Sequence, residues 1–351
     1  MAEKYDVAEL KAFGARLFTA AGMPEDRAAV VSDMLIDADM MGHDTHGLNL
    51  APQYLGALEA GDMPKDGVPE VLSDRGPSVL WDADYLSGVW LVRHAMDIGM
   101  PRARQYGMCG ISIRRSGHIA CLASFLPKAT AEGMFMLLLS SDPAVGGVAP
   151  YGATEPVYTP NPIGVAIPTP GDPVFIDISA SITTMGMRGR NASEGARMGG
   201  KWLVGKDGKA TDDPAAFDEG GALLPLGGMD AGHKGFGLGL MVEAMTSGLA
   251  GFGRKDGPTT HGASVFVLLI DPEAFGGLDA FTAETGWLGD ACRAARVADG
   301  APGVRLPGER ALQRMRDAST NGVELFPGIM DRLKEWADKL GVDAPTANQG
   351  E

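Results

Sequence analysis

The sequence predicts an α/β fold that contains no Rossmann domain. Apolar residues recur at three- and four-residue spacing over residues 8–41, which is typical of amphipathic helices. Short, strongly apolar segments at 110–113, 134–139 and 265–271 are typical of buried strands that alternate with helices. No G-x-G-x-x-G fingerprint follows such a strand and opens a helix, so the sequence does not support a Rossmann domain.

The first helical pattern is interrupted once, at Gly22-Met23-Pro24, where Pro24 suits the first turn of a second helix. The pattern stops at Gly42 and is followed by two histidines, a carboxylate and a hydroxyl within four residues, His43-Asp44-Thr45-His46. Histidine titrates near neutral pH, and a helix end can direct side chains towards a ligand. The alternative interpretation is that one of the polar residues caps a helix and that both histidines are ordinary surface or packed residues.

The remaining elements alternate between helices and strands. Pro101 either kinks the helix expected at 87–107 or starts a new one. Residues 144–173 are rich in Gly and Pro and form either a structured binding loop or a flexible lid, and 199–213 is turn-rich and exposed. We expect helices at 52–61, 87–107, 120–132, 238–249, 287–295 and 327–340, and strands within 68–82 and at 110–113, 134–139, 174–182 and 265–271.

Polar side chains follow two of the expected strands, which is the usual position of a ligand site in an α/β protein. Ser116-Gly117-His118 follows the first of them, and Asp142 follows the next. A glycine-flanked lysine, Lys234, lies at an expected helix start, where free N–H groups, the helix dipole and an ammonium would form an anion-binding corner. The alternative there is a glycine-rich turn with a solvated lysine.

Composition narrows the class of partner. The chain has 351 residues, a net charge of −15 and a pI near 4.8. Nucleic acids and anionic membrane surfaces require basic patches, so we expect neither as a partner, whereas a small anionic substrate needs only one or two local cations. No apolar segment is long enough to span a bilayer, and the first residues do not resemble a signal peptide. Three cysteines without metal-like or redox spacing indicate a reducing, cytoplasmic setting.

His43 and His46 form an H-x-x-H pair that could ligate zinc. No carboxylate–histidine set at metal spacing accompanies the pair, so we predict no metal site. A metal-assisted hydrolase that uses His43, Asp44 and His46 is a competing class, which a metal assay on the purified protein would distinguish. The P-loop, G-x-S-x-G and H-E-x-x-H motifs are absent from the sequence.

Six short motifs occur in order between residues 45 and 309, within a stretch from near residue 8 to near residue 327 that resembles a known family. They are Thr45-His46-Gly47 (followed by Tyr54), Ser116-Gly117-His118, Thr159-Pro160-Asn161-Pro162, Asp177-Ile178-Ser179-Ala180-Ser181, Lys234-Gly235-Phe236-Gly237-Leu238 and Pro307-Gly308-Glu309. In this order they resemble the malate/L-lactate dehydrogenase-type NAD(P)-dependent oxidoreductases, a non-Rossmann family that includes ureidoglycolate, sulfolactate and diketogulonate enzymes. Each motif is weak alone, and the ordered set is specific.

The resemblance implies a helical lobe formed by residues 1–75 together with 290–351, and an inserted NAD(P)-binding α/β domain at 76–289. It implies hydride transfer between the nicotinamide of NAD or NADP and C2 of a small 2-hydroxy or 2-oxo acid. Members of the family build the site between subunits, which together with the apolar helices implies a homodimer. The choice between NAD and NADP depends on a cation near the ribose and cannot be read from the sequence.

The resemblance implies that His46 and His118 both face the substrate, and an imidazole near neutral pKa suits proton transfer in both directions. We favour His118 as the acid/base because Asp142, at the next strand end, could orient it. Asn161 is expected to hold its loop in shape. The implied substrate-binding residues are Thr45, Tyr54 and Arg115. The implied cofactor-binding residues are Ile176, Asp177, Ile178, Ser179, Ser181, His233, Lys234, Gly235, Pro307, Gly308 and Glu309.

Departures from the family pattern concern the substrate. Leu50 stands where the family commonly has an arginine that clamps the substrate carboxylate. We hypothesise that Arg115, or Arg114, replaces this clamp from the opposite wall. Ala120, where a glycine is usual, narrows the pocket, and Met187, where lysine is frequent, loosens cofactor or loop contacts. Neither change removes a reacting group.

Two alternatives stay open within the resemblance. The first is a reductase of cyclic imino acids such as pyrroline- or piperideine-2-carboxylate, since an imine tolerates a weaker acid. The second is a catalytically inactive relative kept as a binding protein. Both histidines, Asp142 and Lys234 argue against the second, whereas Leu50 and Met187 leave it open.

Overall fold

The computed structural model describes residues 3–348, and its largest sheet has seven strands. In chain order the strands are β1 (Lys4–Tyr5), β2 (Glu70–Asp74), β3 (Ser78–Asp82), β4 (Met108–Ser116), β5 (Phe135–Ser141), β6 (Pro162–Ile167), β7 (Val174–Ser179), β8 (Leu203–Val204), β9 (Ala210–Thr211), β10 (Ala222–Leu223), β11 (Ala263–Ile270) and β12 (Val323–Glu324). The large sheet has the order β2-β3-β4-β11-β5-β6-β7. Among its pairs, β3 and β4 are parallel and the others are antiparallel. A doubly wound domain needs a mostly parallel sheet, so the prediction of a non-Rossmann α/β fold is confirmed.

Helices cover both faces of this sheet. In chain order they are α1 (Val7–Ala20), α2 (Glu25–Met41), α3 (Ala51–Ala60), α4 (Gly88–Tyr106), α5 (Leu126–Ala131), α6 (Met185–Ser193), α7 (Gly228–Glu243), α8 (Leu278–Ala294), α9 (Glu309–Asn321) and α10 (Ile329–Leu340). On one face α4 packs against β4 and β11, and α2 packs on α4. On the other face α7 and the π-helical turn after it, Ala244–Gly248, contact β5. The central strands therefore lie between two helical layers, where their apolar side chains are buried.

The N-terminal helices follow the predicted pattern. Helix α1 begins where Asp6 accepts the N–H of Glu9 at 2.9 Å, and it buries Leu10 and Phe13. Helix α2 starts at Glu25, one residue after Pro24, and ends at Gly42 in the left-handed conformation (φ 86°). Helix α9 packs on α2, and α10 packs on α1 and α3, so the last helices return to the first ones.

Two predicted elements differ in the structure. The segment 144–173 contains strand β6, which the sequence analysis missed because Gly164 and the flanking prolines break the apolar alternation. The helix expected at 120–132 is a short 3-10 turn (Leu122–Phe125) followed by α5, whose second residue is Pro127.

Helices α7 and α8 begin earlier than predicted, at Gly228 and Leu278. Helix α7 is broken at Ala231 (φ −124°, ψ 17°), so that Lys234 lies in the first turn after the break. Glycines around the break lower the helix propensity of this segment, which explains why the sequence pattern shows only the later part.

The boundary predicted between residues 75 and 76 falls in the turn between β2 and β3, which pair in the same sheet. The division into two domains stays a prediction. Strands β8 and β9, in the segment expected to be turn-rich, form a separate three-stranded sheet with β10. Within residues 3–348, no helix combines the length and the apolar character needed to cross a membrane.

Candidate active site

His46 lies on a loop that Asp39 of α2 holds in place. The Asp39 carboxylate is buried and accepts the N–H of Leu48 at 2.8 Å. It also lies against Gly47, where an added Cβ would come within 2.2 Å of its Oδ1, so only glycine fits at this position. The hydroxyl of Thr45 lies 2.8 Å from Nδ1 of His46 and fixes the orientation of the ring.

His118 follows β4 and has a fixed tautomer. The backbone N–H of Ala120 donates to Nδ1 of His118 at 3.2 Å, and the hydroxyl of Tyr54 lies 2.7 Å from the same nitrogen. A backbone N–H can only donate, so Nδ1 is an acceptor and the neutral ring carries its proton on Nε2. Burial, together with the nearby His46, lowers the pKa of His118 to about 4, which keeps the ring neutral at physiological pH.

The two imidazoles form one site. Their ring centroids lie 6.2 Å apart with an interplanar angle of 27°. Burial lowers the pKa of His46, and the carboxylates of Asp177 and Asp44 act in the opposite direction. Because the Thr45 hydroxyl can donate or accept, both protonation states of His46 find a partner there. The site thus combines one histidine that is fixed as a donor with one that can change its charge.

Thr45 and Tyr54, which are expected to bind substrate, each form a hydrogen bond with a histidine, and their contact with substrate stays a prediction. Tyr54 is 2% exposed, and its hydroxyl is directed at the His118 ring. These contacts make both residues positioning residues for the two imidazoles. Asn161 is fully buried and donates to the carbonyl of Gly239 and the carboxylate of Glu243, so it holds its loop as expected.

Asp142 does not orient His118. Its carboxylate accepts the N–H of Ala144 at 2.9 Å and lies 3.6 Å from Nδ1 of His261. Within residues 3–348, no hydrogen bond joins it to His118, whose Nδ1 is bonded by Tyr54 and Ala120. The predicted orienting role of Asp142 is therefore wrong, because the loop after β5 turns this carboxylate towards the segment before β11.

Arg115 is also committed elsewhere. Its guanidinium contacts Asp82 at 2.7 Å and Asp84 at 3.1 Å, and Arg114 donates to the same Asp82 at 2.8 Å. Burial alone would raise the pKa of Asp82, but hydrogen bonds from Arg115 and Arg114 and from the N–H of Asp84 hold it below its ordinary value. The guanidinium expected to replace the arginine missing at Leu50 is thus engaged in an internal ion pair, which argues against a role as the substrate clamp.

Two of the predicted cofactor-binding segments line one groove. The groove, about 360 Å³ in volume, lies between β7 and the Pro307-Gly308 corner. The N–H of Phe175, on β7, donates to the carbonyl of Pro307 at 3.1 Å and so joins the two walls. Ile176, Asp177 and Ile178 lie along it.

Two arginines that the sequence analysis missed also line the groove. Arg310 and Arg314 are one turn apart on α9, and neither makes a hydrogen bond or ion pair with a side chain of residues 3–348. Two uncommitted guanidinium groups beside the start of a helix fit the phosphates of a dinucleotide. Their spacing after the Pro307-Gly308-Glu309 motif is the signal that could have found them.

The other predicted cofactor residues lie elsewhere or are used locally. Ser179 and Ser181 donate to the carbonyls of Ser181 and Thr183, and Glu309 is paired with Arg293 at 2.6 Å. The segment His233-Lys234-Gly235 lies on α7, where Gly235 packs against the carbonyl of Ala180 just past the end of β7. The side chains of His233 and Lys234 are exposed. The cofactor role of these residues stays a prediction.

The histidines of the H-x-x-H pair have different partners. Asp44 is paired with Arg190 at 3.2 Å and His46 with Thr45, so the ligand set considered for a hydrolase is not assembled. His43 instead lies with Cys121 and Asp177, and one potential ligand atom of each lies within 4.8 Å of the others. Because Cys121 and Asp177 are remote from His43 in the sequence, no spacing pattern could reveal this cluster.

The chain resembles known dehydrogenases along almost its whole length. The model of the malate/L-lactate dehydrogenase family matches residues 5–334. The L-lactate dehydrogenase of Cupriavidus necator is 30% identical over 349 residues, which cover 94% of this chain and 96% of that protein.

Two solved structures share the fold. Malate dehydrogenase from Entamoeba histolytica has a TM-score of 0.92 and 24% identity, with 98% of this chain and 100% of that chain covered. Delta1-piperideine-2-carboxylate reductase from Pseudomonas syringae has a TM-score of 0.83 and 27% identity, with 95% of this chain and 100% of that chain covered.

Proposed function

The chain belongs to the malate/L-lactate dehydrogenase family and is an oxidoreductase, and we propose that it transfers hydride between a nicotinamide cofactor and C2 of a small 2-hydroxy or 2-oxo acid. The observation that carries the proposal is the pair of imidazoles, His46 and His118, with ring centroids 6.2 Å apart. Hydride transfer to a carbonyl carbon places negative charge on the oxygen, which needs both a hydrogen-bond donor and a proton. The pair supplies one of each.

His118 is the hydrogen-bond donor. Because the backbone N–H of Ala120 donates to Nδ1, the proton of the neutral ring is on Nε2. The low pKa of His118 keeps the ring in this neutral form at neutral pH. A neutral imidazole can polarise a carbonyl without giving up its proton. Tyr54 keeps the ring in this orientation. This assignment reverses our preference for His118 as the acid/base.

His46 is the acid/base. Thr45 supports the ring in either protonation state, and the carboxylates of Asp177 and Asp44 offset part of the lowering of its pKa by burial. In the reduction, His46 gives its proton to the substrate oxygen. In the oxidation, it removes the hydroxyl proton.

The groove between β7 and α9 holds the cofactor, NAD or NADP. The nicotinamide ring supplies or accepts the hydride when the cofactor is bound. Ile176, Asp177 and Ile178 form one wall, and Arg310 and Arg314 neutralise phosphate charge at the other. The arginines favour an anionic ligand in a chain whose net charge is −15.

A second candidate is the reduction of a cyclic imino acid. The observation that favours it is the fold shared with a delta1-piperideine-2-carboxylate reductase that is 27% identical to this chain. In this reaction the same two histidines would face the imine nitrogen instead of a carbonyl oxygen.

The assembly is a homodimer in the cytoplasm. Large apolar side chains on and after α7 are exposed, among them Leu240 (53%) and Leu249 (56%), and a second subunit would cover them. All three cysteines are free, which fits a reducing compartment. Light scattering during size-exclusion chromatography tests the dimer.

The deciding experiment follows nicotinamide absorbance with purified protein, NADH or NADPH, and a panel of 2-oxo acids and cyclic imino acids. Turnover of an open-chain 2-oxo acid is the expected result. Turnover of imines alone would establish the second candidate. If neither reduced cofactor binds, the proposal is wrong.

A further inference from the structure

We propose that His43, Cys121 and Asp177 form a binding site for a thiophilic divalent ion, with zinc as the best match. One potential ligand atom from each side chain lies within 4.8 Å of the other two. Imidazole nitrogen, thiolate sulfur and carboxylate oxygen are the three donor types that zinc uses in proteins, and three protein ligands leave one position open. The site goes beyond the proposed dehydrogenase function and requires none of its substrates.

Two of the three ligand atoms already have the spacing of a zinc site. Zn–S and Zn–O bonds of about 2.3 and 2.0 Å at a tetrahedral angle place the two ligand atoms about 3.5 Å apart. The sulfur of Cys121 lies 3.6 Å from Oδ2 of Asp177. The His43 ring makes no hydrogen bond to residues 3–348 and is only half-buried, so it is free to complete the set.

Two of the three side chains, His43 and Asp177, come from segments that backbone hydrogen bonds hold in place. His43 follows Gly42, and its N–H bonds to the carbonyl of Ala38 at 2.8 Å, which fixes it at the end of α2. Asp177 is on β7, and its Oδ2 accepts the N–H of Ala123 at 2.9 Å. A backbone donor of this kind orients a carboxylate ligand from outside the coordination sphere.

The charges of the site match a divalent ion. Without an ion, the S–H of Cys121 donates to Oδ2 of Asp177 at 3.6 Å. On binding, the S–H bond breaks, its proton goes to solvent and a sulfur–metal bond forms, with no change in oxidation state. Thiolate and carboxylate together then neutralise the two positive charges, which permits a half-buried position.

A bound ion would also close one end of the groove. His43 and Asp177 both line the cavity of about 360 Å³ that also contains Arg310 and Arg314. An ion coordinated by both residues withdraws them from any other ligand in the cavity. We therefore expect zinc to compete with the nicotinamide cofactor, a consequence that rests on the proposed function.

Cobalt(II) provides a direct test, because a cobalt–thiolate bond gives a charge-transfer band in the near ultraviolet. The full-length reduced protein, freed of metal with a chelator, is titrated with Co²⁺ and then with Zn²⁺. We expect a thiolate band that saturates at one equivalent and that zinc abolishes. The band should vanish in Cys121→Ser and remain in Cys109→Ser and Cys292→Ser, which change the other free thiols. No band in the wild type, or a band that survives Cys121→Ser, would overturn the site.

A second variant guards against misfolding and tests the imidazole. His43→Gln leaves the thiol and the carboxylate in place and changes a half-buried side chain. Loss of one ligand should weaken Co²⁺ binding by at least about ten-fold. Unchanged affinity would exclude His43 from the site.

Inhibition by zinc separates this site from the proposed function. In an active preparation, Zn²⁺ should raise the KM for the cofactor in wild type, reversibly with a chelator, and have no such effect in Cys121→Ser. If zinc binds without raising this KM, the competition is wrong. If the protein turns over no substrate, the dehydrogenase proposal fails, and the cobalt band still decides whether the ion site exists.

Discussion

Nδ1 of His118 accepts the backbone N–H of Ala120 at 3.2 Å, so the position of a main-chain atom decides the protonation of a side chain in the site. A hydroxyl at this place could reverse its hydrogen bond, whereas an amide N–H cannot. Protonation of Nδ1 would set two N–H groups against each other. The fold thereby makes His118 a permanent donor through Nε2, and the change of charge during the reaction falls to His46.

The first prediction distinguishes the two histidines. His46→Ala should lower kcat by about 10²- to 10⁴-fold, because it removes the proton that the reaction needs. His118→Gln, which can still present an N–H near the former Nε2, should retain more activity than His118→Ala. Steady-state kinetics on the three variants check this, and equal losses in His118→Gln and His118→Ala would contradict the donor role.

The second prediction concerns pH. The pKa of His46 is lowered from the ordinary histidine value of 6.5, mainly by burial. Reduction needs protonated His46, so its kcat/KM should fall as pH rises through a midpoint below 6.5. Oxidation needs the neutral ring, so its kcat/KM should fall as pH drops through the same region. Profiles measured in both directions test the sign, and a limb that persists in His46→Ala would assign it to another group.

The third prediction is that Arg115→Ala leaves the substrate KM unchanged within about two-fold. Its guanidinium is already used by Asp82 and Asp84. Removing it takes a charged hydrogen bond from the buried Asp82 and should reduce the free energy of unfolding by roughly 1–3 kcal/mol. Urea unfolding measures this loss, with Arg102→Ala as a control that breaks a pair with Asp74, a carboxylate more exposed than Asp82. A ten-fold rise in substrate KM would restore the clamp hypothesis.

The structure shows which parts of the site the sequence could reveal. His46 and His118 were identified because each sits in a short contiguous motif next to a helix or strand end. The contacts of Arg115 and Asp142 were not predicted because the groups that bind them, Asp82 and His261, are distant in sequence. An unpaired charge and a paired one look the same in a sequence.

The fold shows the same limit. The long helices α1, α2 and α4 were predicted because their period extends over several turns. Strand β6 was missed because its place in the sheet depends on pairing with β5 and β7, which overrides a weak local pattern. The cluster of His43, Cys121 and Asp177 likewise exists only once β7 lies beside the end of α2.

The fourth prediction tests the groove. Arg310→Ala and Arg314→Ala should each weaken binding of 2′,5′-ADP or 5′-AMP by about 10-fold, the value of one charged hydrogen bond to phosphate. Arg316→Ala is the matched control, since Arg316 is on the same helix but is paired with Asp172. Calorimetry with both nucleotides shows which phosphate each arginine contacts. If a variant loses affinity for 2′,5′-ADP alone, that arginine lies at the 2′-phosphate, which favours NADP. If it loses affinity for both nucleotides equally, the arginine lies at the 5′-phosphate. Unchanged binding of both nucleotides would remove the arginines from the site.

The fifth prediction concerns Asp39 beneath the His46 loop. Burial, with a contribution from the charge of Asp44, raises the pKa of Asp39 to about 8, and its Oδ1 has no hydrogen-bond partner among residues 3–348. The folded protein therefore holds a proton that the unfolded chain releases near the ordinary aspartate pKa of 3.8. The contribution of this proton to the free energy of unfolding is complete below pH 3.8 and is lost as the pH rises to about 8. The free energy of unfolding falls over this range by at most about 1.4 kcal/mol per pH unit.

Asp39→Asn removes this ionisation and retains an oxygen for the N–H of Leu48. The free energy of unfolding of the variant, relative to that of wild type, should therefore increase as the pH is raised from 5 to 8. A constant cost of the amide would shift this difference equally at every pH and would not change the trend. Urea unfolding at several pH values in this window measures the difference. Asp33→Asn, on the same helix but with its side chain 48% exposed, is the control and should run parallel to wild type. Parallel curves for Asp39→Asn as well would show that Asp39 is already ionised at neutral pH, and that its contact with the His46 loop is made by a charged carboxylate.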